Sequence, residues 1–243
     1  MKWGINVNVQ DGEKFLAICN DAGLKYLRLN CDIKCSITPI LEKIAEYGMK
    51  AYIVPMSFKS DRERDCAHDL PASYLNFSAL IPSDICLGIA IPDNSYLITQ
   101  PHCKVGLKRS VLIAIYNEII EGLKEQGHRS VMPLRSVDIL STNWNAVKAD
   151  VFDVEFFIMP DHSAEDVKTG AQRLRTEADR EIWVGKAGRA GGTILAAQQH
   201  GVLAKIGDYA KAVGAKYAFL WSDKDVSRFH WSSGGKFNIK IGA

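Results

Sequence analysis

Two periods of apolar residues take turns along this chain. Stretches in which every second side chain is apolar predict strands, and stretches with apolar residues three and four apart predict helices. WGINVNV (3–9) is of the first kind, and DGEKFLAICNDAG (11–23) is of the second, with Phe15, Leu16 and Cys19 on one face and Gly23 as a stop. KYLRLNC (25–31) then precedes TPILEKIAEYG (38–48), where Thr38 is the expected N-cap and Pro39 the first helical residue. KAYIVPMSF (50–58) is followed by a polar, charged stretch and a short segment, ASYLNFSAL (72–80), that reads as a reduced helix. ICLGIAIPD (85–93) leads into VGLKRSVLIAIYNEIIEGLKEQG (105–127), the clearest helical period in the chain. SVMPLRSVDIL (130–140) is paired with a weak NWNAVKA (143–149), and DVFDVEFFIMPD (150–161) with SAEDVKTGAQRLRTEADRE (163–181), which opens on a serine cap and an acidic first turn. IWVGKAG (182–188) leads to a last helical run at 192–215, and KYAFLWSD (216–223) closes the series.

That alternation amounts to about eight strand-helix repeats. A parallel sheet of eight strands with right-handed crossovers closes into a (β/α)₈ barrel, typically of ~250 residues. The expected fold is therefore a trimmed (β/α)₈ TIM barrel in a single domain, 1–243, with 224–243 as a closing segment after the eighth strand. An open doubly wound sheet is the competing architecture. GKAGRAGG matches the dinucleotide G-x-G-x-x-G spacing poorly and comes after the seventh strand, where that fold places it after the first.

In a barrel the apolar side of each strand lies under the helices and the other side fills the bore. Parity then directs Ile5, Val7 and Val9 outward and Asn6 and Asn8 inward. Leu27 and Leu29 go outward, Tyr26, Arg28 and Asn30 inward; Leu87, Ile89 and Ile91 go outward, Gly88, Ala90, Pro92 and Asn94 inward. Val154, Phe156 and Ile158 go outward, which sends Asp153, Glu155, Phe157 and Met159 into the bore. Charges such as Arg28 and Glu155 in that position should pair, because an unpaired charge away from water costs several kcal/mol. Ligands bind at the C-terminal ends of barrel strands, which brings forward Asn8, Asp32, Asn94, Asp161, Lys186, Trp221 and Asp223.

Composition narrows the chemistry. With 47% hydrophobic and 24% charged residues the chain has the balance of an ordinary globular protein, and its net charge of +2 with scattered Lys and Arg favours neither nucleic acid nor an anionic membrane as partner. MKWGINVNVQDG runs straight into a strand without a signal-peptide core, and no run reaches the roughly 20 apolar residues of a membrane span. A cytoplasmic location is expected, with the six cysteines (Cys19, Cys31, Cys35, Cys66, Cys86, Cys103) as reduced thiols, none in a CxxC pair. Cys66, His68, His102 and Cys103 lack metal-ligand spacing, so neither a metal nor a cofactor is expected. His162 reads as an ordinary exposed histidine at a helix start. Trp144, Trp221, Phe229, His230 and Trp231 are expected near the mouth, where flat rings stack on sugar faces or serve as core and lid packing. With Asn8, Asn30 and Asn94 they make a polar and aromatic cleft suited to a saccharide.

The strand ends also carry a resemblance. YLRLN supplies an arginine, Arg28, on strand two; AFLWSD supplies a tryptophan, Trp221, on strand eight; and FHWSSGGKFNIK follows as a closing segment. In these features the chain resembles the clan-A retaining glycoside hydrolases, which are (β/α)₈ barrels. That resemblance implies an Asn-Glu pair ending strand four, its Glu the acid/base, and a nucleophilic Glu ending strand seven. GIAIPDNS has Asp93 and Asn94 at the first position, and IWVGKAGRA has Lys186 at the second. Retention needs two carboxylates about 5 to 5.5 Å apart. Asn94 has no acidic proton to donate, and Lys186 cannot form the glycosyl ester and would oppose a developing oxocarbenium ion.

Four readings follow. The first is a glycoside-hydrolase-like barrel that binds carbohydrate, through Asn8, Arg28, Asn30, Asn94, Trp221 and Trp231, with hydrolysis lost or altered. The second is an active glycosidase whose carboxylates have moved to Asp93, Asp161 or Asp223, of which Asp223 stands out. The third is an aldolase- or lyase-type enzyme that uses Lys186 as a Schiff base or general base, against a structural Lys186 paired with Glu155 or Asp223. The fourth is a scaffold that reuses the barrel for interaction. The reduced helices after strands three and five would leave sheet flanks that a second copy of the chain covers.

Overall fold

The computed structural model describes residues 1–9, 12–32, 36–56, 70–92, 109–134, 146–158, 179–189 and 196–220, with five more positions between 169 and 176. Eight parallel strands close on one another in sequence order: β1 (Lys2–Asn8), β2 (Tyr26–Asp32), β3 (Lys50–Met56), β4 (Cys86–Ala90), β5 (Ser130–Leu134), β6 (Val151–Ile158), β7 (Glu181–Arg189) and β8 (Tyr217–Leu220), which returns to β1. The described helices are α1 (Gly12–Asp21), α2 (Thr38–Glu46), α3 (Leu70–Ser78), α4 (Arg109–Glu125) and α5 (Ala196–Ala212). This is the trimmed (β/α)₈ barrel that the alternating periods predict.

Two apolar clusters divide the molecule as strand parity requires. The larger lies between strands and helices and contains Ile5, Leu27, Leu29, Ile53, Ile89, Val154, Phe156, Ile182 and Val184. Phe15, Leu16 and Cys19 of α1 face it, and Gly23 ends that helix at a φ of 73°. The smaller fills the lower bore with Tyr52, Trp183, Tyr217 and Phe219, packed on one another at centroid distances from 5.0 to 6.4 Å. Gly4 leaves the room this cluster needs, because a Cβ there would lie 2.6 Å from the Tyr26 carbonyl oxygen and against the Phe219 ring.

Three expectations are corrected. Leu87 turns toward the bore and Cys86 outward, because β4 holds a bulge: Ala51 of β3 pairs with Cys86 while Tyr52 pairs with Gly88, so Leu87 is the extra residue. Thr38 is the first residue of α2 and not its N-cap; that position belongs to Ile37, whose side chain is buried in the core and makes no cap hydrogen bond. Residues 146–150 follow a turn where a weak helix was expected. Met132, Leu134, Phe152 and Val154 of β5 and β6 are fully buried within the single chain.

Burial pushes the Cys19 and Cys86 thiols up to about 12, which keeps them protonated and unreactive at neutral pH. No helix among the described residues is long and apolar enough to cross a membrane. The closing segment 224–243 lies outside the described residues.

At the N-terminal end of β7 one carboxylate, Glu181, gathers an indole and two cations. Glu181 accepts hydrogen bonds from the Trp183 indole at 2.6 Å and the Arg129 guanidinium at 3.2 and 3.3 Å, and Lys216 stands 3.4 Å away. Burial alone would raise the Glu181 carboxyl, but the indole and the two cations together hold it below its ordinary value. A carboxyl lowered in the folded state stabilises above its unfolded pKa, and loses that contribution as pH falls through its folded value. Glu181→Gln should therefore cost about 1 kcal/mol in urea unfolding at pH 7, and much less at pH 3. An equal cost at both pH values would contradict this assignment.

Candidate active site at the C-terminal mouth of the barrel

Above the aromatic layer the bore becomes polar. Asn6 and Arg28 occupy paired positions on β1 and β2, and Asn8 and Asn30 the paired positions nearer the mouth. Arg28 Nη1 donates to Asn6 Oδ1 at 2.9 Å and to Asn30 Oδ1 at 2.7 Å. Asn6 Nδ2 in turn donates to the carbonyl oxygens of Gly185 at 3.1 Å and Leu220 at 3.0 Å, which ties β1 to β7 and β8 across the seam of the barrel. Asn30 Nδ2 donates to Asn8 Oδ1 at 3.3 Å. This chain of amides fixes a guanidinium that is 98% hidden from solvent, with a side-chain exposure of only 2%.

The counter-charge comes from β6. Arg28 Nε lies 3.7 Å from Asp153 Oδ2, and the Tyr52 hydroxyl donates to that same oxygen at 2.7 Å. Burial pushes the Asp153 carboxyl up, against the lowering pull of Arg28 and of the Tyr52 hydrogen bond. Burial also pushes the Tyr52 phenol well up, and the neighbouring Asp153 charge adds to it, so Tyr52 remains a donor. Glu155, two residues on and on the same side of β6, takes a different cation: Lys186 Nζ lies 2.8 Å from Glu155 Oε1. Arg28 and Glu155 both lie inside, as parity predicts, but they are not partners of each other.

Lys186 enters the bore through a bulge. Ile182 and Val184 face outward, so strict alternation would send the side chain at 186 outward with them. Val154 pairs with Val184 but Glu155 pairs with Lys186, and on the other side Val184 pairs with Ala218 while Ala187 pairs with Leu220. One extra residue in β7 therefore flips the strand, and Ala187 resumes the outward face. Position 185 has to be glycine, because a Cβ there would collide with the Asp153 carboxylate.

Of the residues put forward from the sequence, Asn8, Arg28 and Asn30 are joined by hydrogen bonds, Lys186 pairs with Glu155 between β7 and β6, and Asp32 ends β2 two residues beyond Asn30. Asp93, Asn94, Asp161, Trp221, Asp223 and Trp231 lie outside the described residues, as do Trp144, His162, Phe229, His230 and the cysteine-histidine set Cys66, His68, His102 and Cys103. No metal-binding cluster occurs among the described residues. The structure adds Tyr52, which sequence reasoning passed over. The signal was there in KAYIVPM, since an outward Ala51 and Ile53 require an inward Tyr52.

No protein-family model matches the chain, and no curated protein matches it in sequence. Solved structures do match it in shape. A structure of fungal β-1,4-galactanases superposes with a TM-score of 0.67 at 11% identity, covering 91% of this chain and 89% of that one. An apo β-glucosidase 1317 gives 0.64 at 11% identity, covering 86% and 76%. A type I 3-dehydroquinate dehydratase from Clostridium difficile, with covalent modified comenic acid, gives 0.54 at 13% identity, covering 97% and 87%. At such identities the likeness establishes the barrel; one barrel carries many chemistries.

Gly185→Ala tests the bulge directly. The added methyl should cost about 1–3 kcal/mol in urea unfolding, since Asp153 cannot withdraw without leaving Arg28. A cost within the ordinary scatter of surface changes, about 0.5 kcal/mol, would show that the strand does not pack as described.

Proposed function

We propose that this chain is a glycoside-hydrolase-like barrel that binds carbohydrate at its C-terminal mouth, with hydrolysis lost or altered. The observation that carries this reading is that the Lys186–Glu155 ion pair and the linked Asn8 and Asn30 amides all occupy bore-facing positions toward the mouth. A sugar presents vicinal hydroxyls that donate and accept at once, and a mouth lined by ammonium, carboxylate and amides offers both in a small space. The net-neutral pair does not select for a charged ligand. Several barrels of similar shape act, by their descriptions, on saccharides: the galactanases, the glucosidase and an intracellular xylanase among them.

The loss or change of hydrolysis is argued from chemistry. Of the described carboxylates at bore-facing positions, Asp153 and Glu155 stand two residues apart on β6, with Asp153 sealed below the mouth at 1% exposure, and Asp32 ends β2 two residues beyond Asn30. A retaining reaction wants two carboxyls on opposite sides of one sugar bond. Glu155 meets the Lys186 ammonium at 2.8 Å. Asp32, Asp93, Asp161 and Asp223 remain the carboxylates an active glycosidase would need to recruit.

Titration calorimetry against a panel of neutral oligosaccharides checks the reading. Binding at about millimolar affinity or tighter is expected, together with no release of reducing ends. Asn30→Ala should weaken that binding roughly tenfold by removing one amide contact and loosening Arg28. A panel without any binder would remove the carbohydrate reading; reducing ends released and then abolished by Asp223→Asn would replace it with an active hydrolase.

A further inference from the structure

We propose that Lys186 and Glu155 act together as an imine-forming pair that captures an aldehyde or ketone at the barrel mouth, with Lys186 Nζ as nucleophile and Glu155 as proton acceptor and then donor. Three observations lead there, and none depends on the carbohydrate reading.

The first is that stability does not account for the pair. Arg28 already has Asp153 as counter-charge and Asn6 and Asn30 as acceptors, so its charge does not require Glu155. An ion pair in this setting is worth little or nothing against apolar residues of the same size, which a bore floored by Trp183, Tyr52 and Phe219 would readily extend. The second is the bulge. A plain strand would have placed Lys186 among the outward residues, and β7 interrupts its ladder for the one step that turns this amine inward. Bulges of that kind are over-represented beside active sites, where they aim a side chain. The third is access. Lys186 keeps 26% of its side-chain surface exposed and Glu155 16%, whereas Arg28 and Asp153 each keep 2%. The upper pair is open to a small molecule while the lower is closed.

The geometry supplies the proton route. Glu155 Oε1, 2.8 Å from Lys186 Nζ, takes a proton from the ammonium and leaves a neutral amine. The nitrogen lone pair forms a bond to the carbonyl carbon, the C=O π pair moves to oxygen, and a proton passes from nitrogen to that oxygen to give a carbinolamine. Glu155 then returns its proton to the hydroxyl, the C–O bond breaks, water leaves, and the nitrogen lone pair closes the C=N bond. One carbonyl compound is consumed, one water is released, and Glu155 ends as it began. The iminium that remains is a cation, so Glu155 faces a positive charge before and after the reaction and is never left as a lone carboxylate in the bore.

The experiment is reductive trapping. The full chain is incubated with glyceraldehyde or with pyruvate, pulsed with borohydride, and read by intact mass and peptide mapping. One reduced adduct per chain, on the peptide that contains Lys186, is the expected result. Lys186→Arg keeps the cation facing Glu155 and therefore the fold, but it should lose that adduct entirely. Glu155→Gln should slow adduct formation by about 100-fold, the ordinary contribution of a positioned acid-base group. Adducts spread over surface lysines at the same rate in the wild type and in Lys186→Arg would overturn the proposal, as would no adduct with either carbonyl compound. Trapping at Lys186 that is unchanged in Glu155→Gln would overturn the role given to Glu155. Glycan titration is a separate readout, so failure of trapping leaves the carbohydrate reading to stand or fall by itself.

Discussion

Charge inside a closed sheet has to be matched where it stands, and that requirement organises this barrel. β6 presents two carboxylates to the bore, Asp153 and Glu155, at positions that share one side of the strand. Each needs a cation from across the bore or from a neighbouring strand, and each has its own: Arg28 from β2 below and Lys186 from β7 above. Water cannot do this work at the lower level, where Arg28 and Asp153 are almost wholly hidden. The amides of Asn6 and Asn30 and the Tyr52 hydroxyl exist in this arrangement as the hydrogen-bonding frame around that lower pair.

From that matching follows a division of the bore into two halves of different character. Below, Trp183, Tyr52, Tyr217 and Phe219 fill the space with rings, and Glu181 gathers Arg129 and Lys216 at the N-terminal end of β7. Above, amides and an ion pair face the mouth, at the end of the barrel where strand ends and loops assemble binding sites in this fold. The glycine at 185 joins the two halves: its lack of a side chain admits the Asp153 carboxylate, and its carbonyl accepts from Asn6. A single position thus lets the lower pair fit and turns the upper amine inward.

Much of this was legible in the sequence, for reasons that differ residue by residue. Asn6, Arg28 and Asp153 could be sent inward because their neighbours Ile5, Val7, Leu27, Leu29 and Val154 are apolar and alternate with them. Parity fails where a strand carries an extra residue. It sent Leu87 to the wrong side, and it would have done the same to Lys186, which its place at the strand end and the resemblance there brought to the mouth. Partner choice was the harder matter. Arg28 and Glu155 both had to be paired, but which acid meets which base depends on the relative height of β2, β6 and β7 in the barrel, and register between strands far apart in sequence leaves no local trace. Thr38 shows the converse error, in which a good capping residue lost its position because burying Ile37 was worth more than a cap hydrogen bond.

The central claim is that Lys186 and Glu155 meet inside the barrel, and a double-mutant cycle on stability measures that meeting most directly. Urea unfolding of Lys186→Met, Glu155→Gln and the double variant should give a coupling of about 1–3 kcal/mol, with the double variant losing less than the two single losses added together. Losses that simply add, to within about 0.5 kcal/mol, would mean that the two side chains do not touch and that β7 does not turn its lysine into the bore.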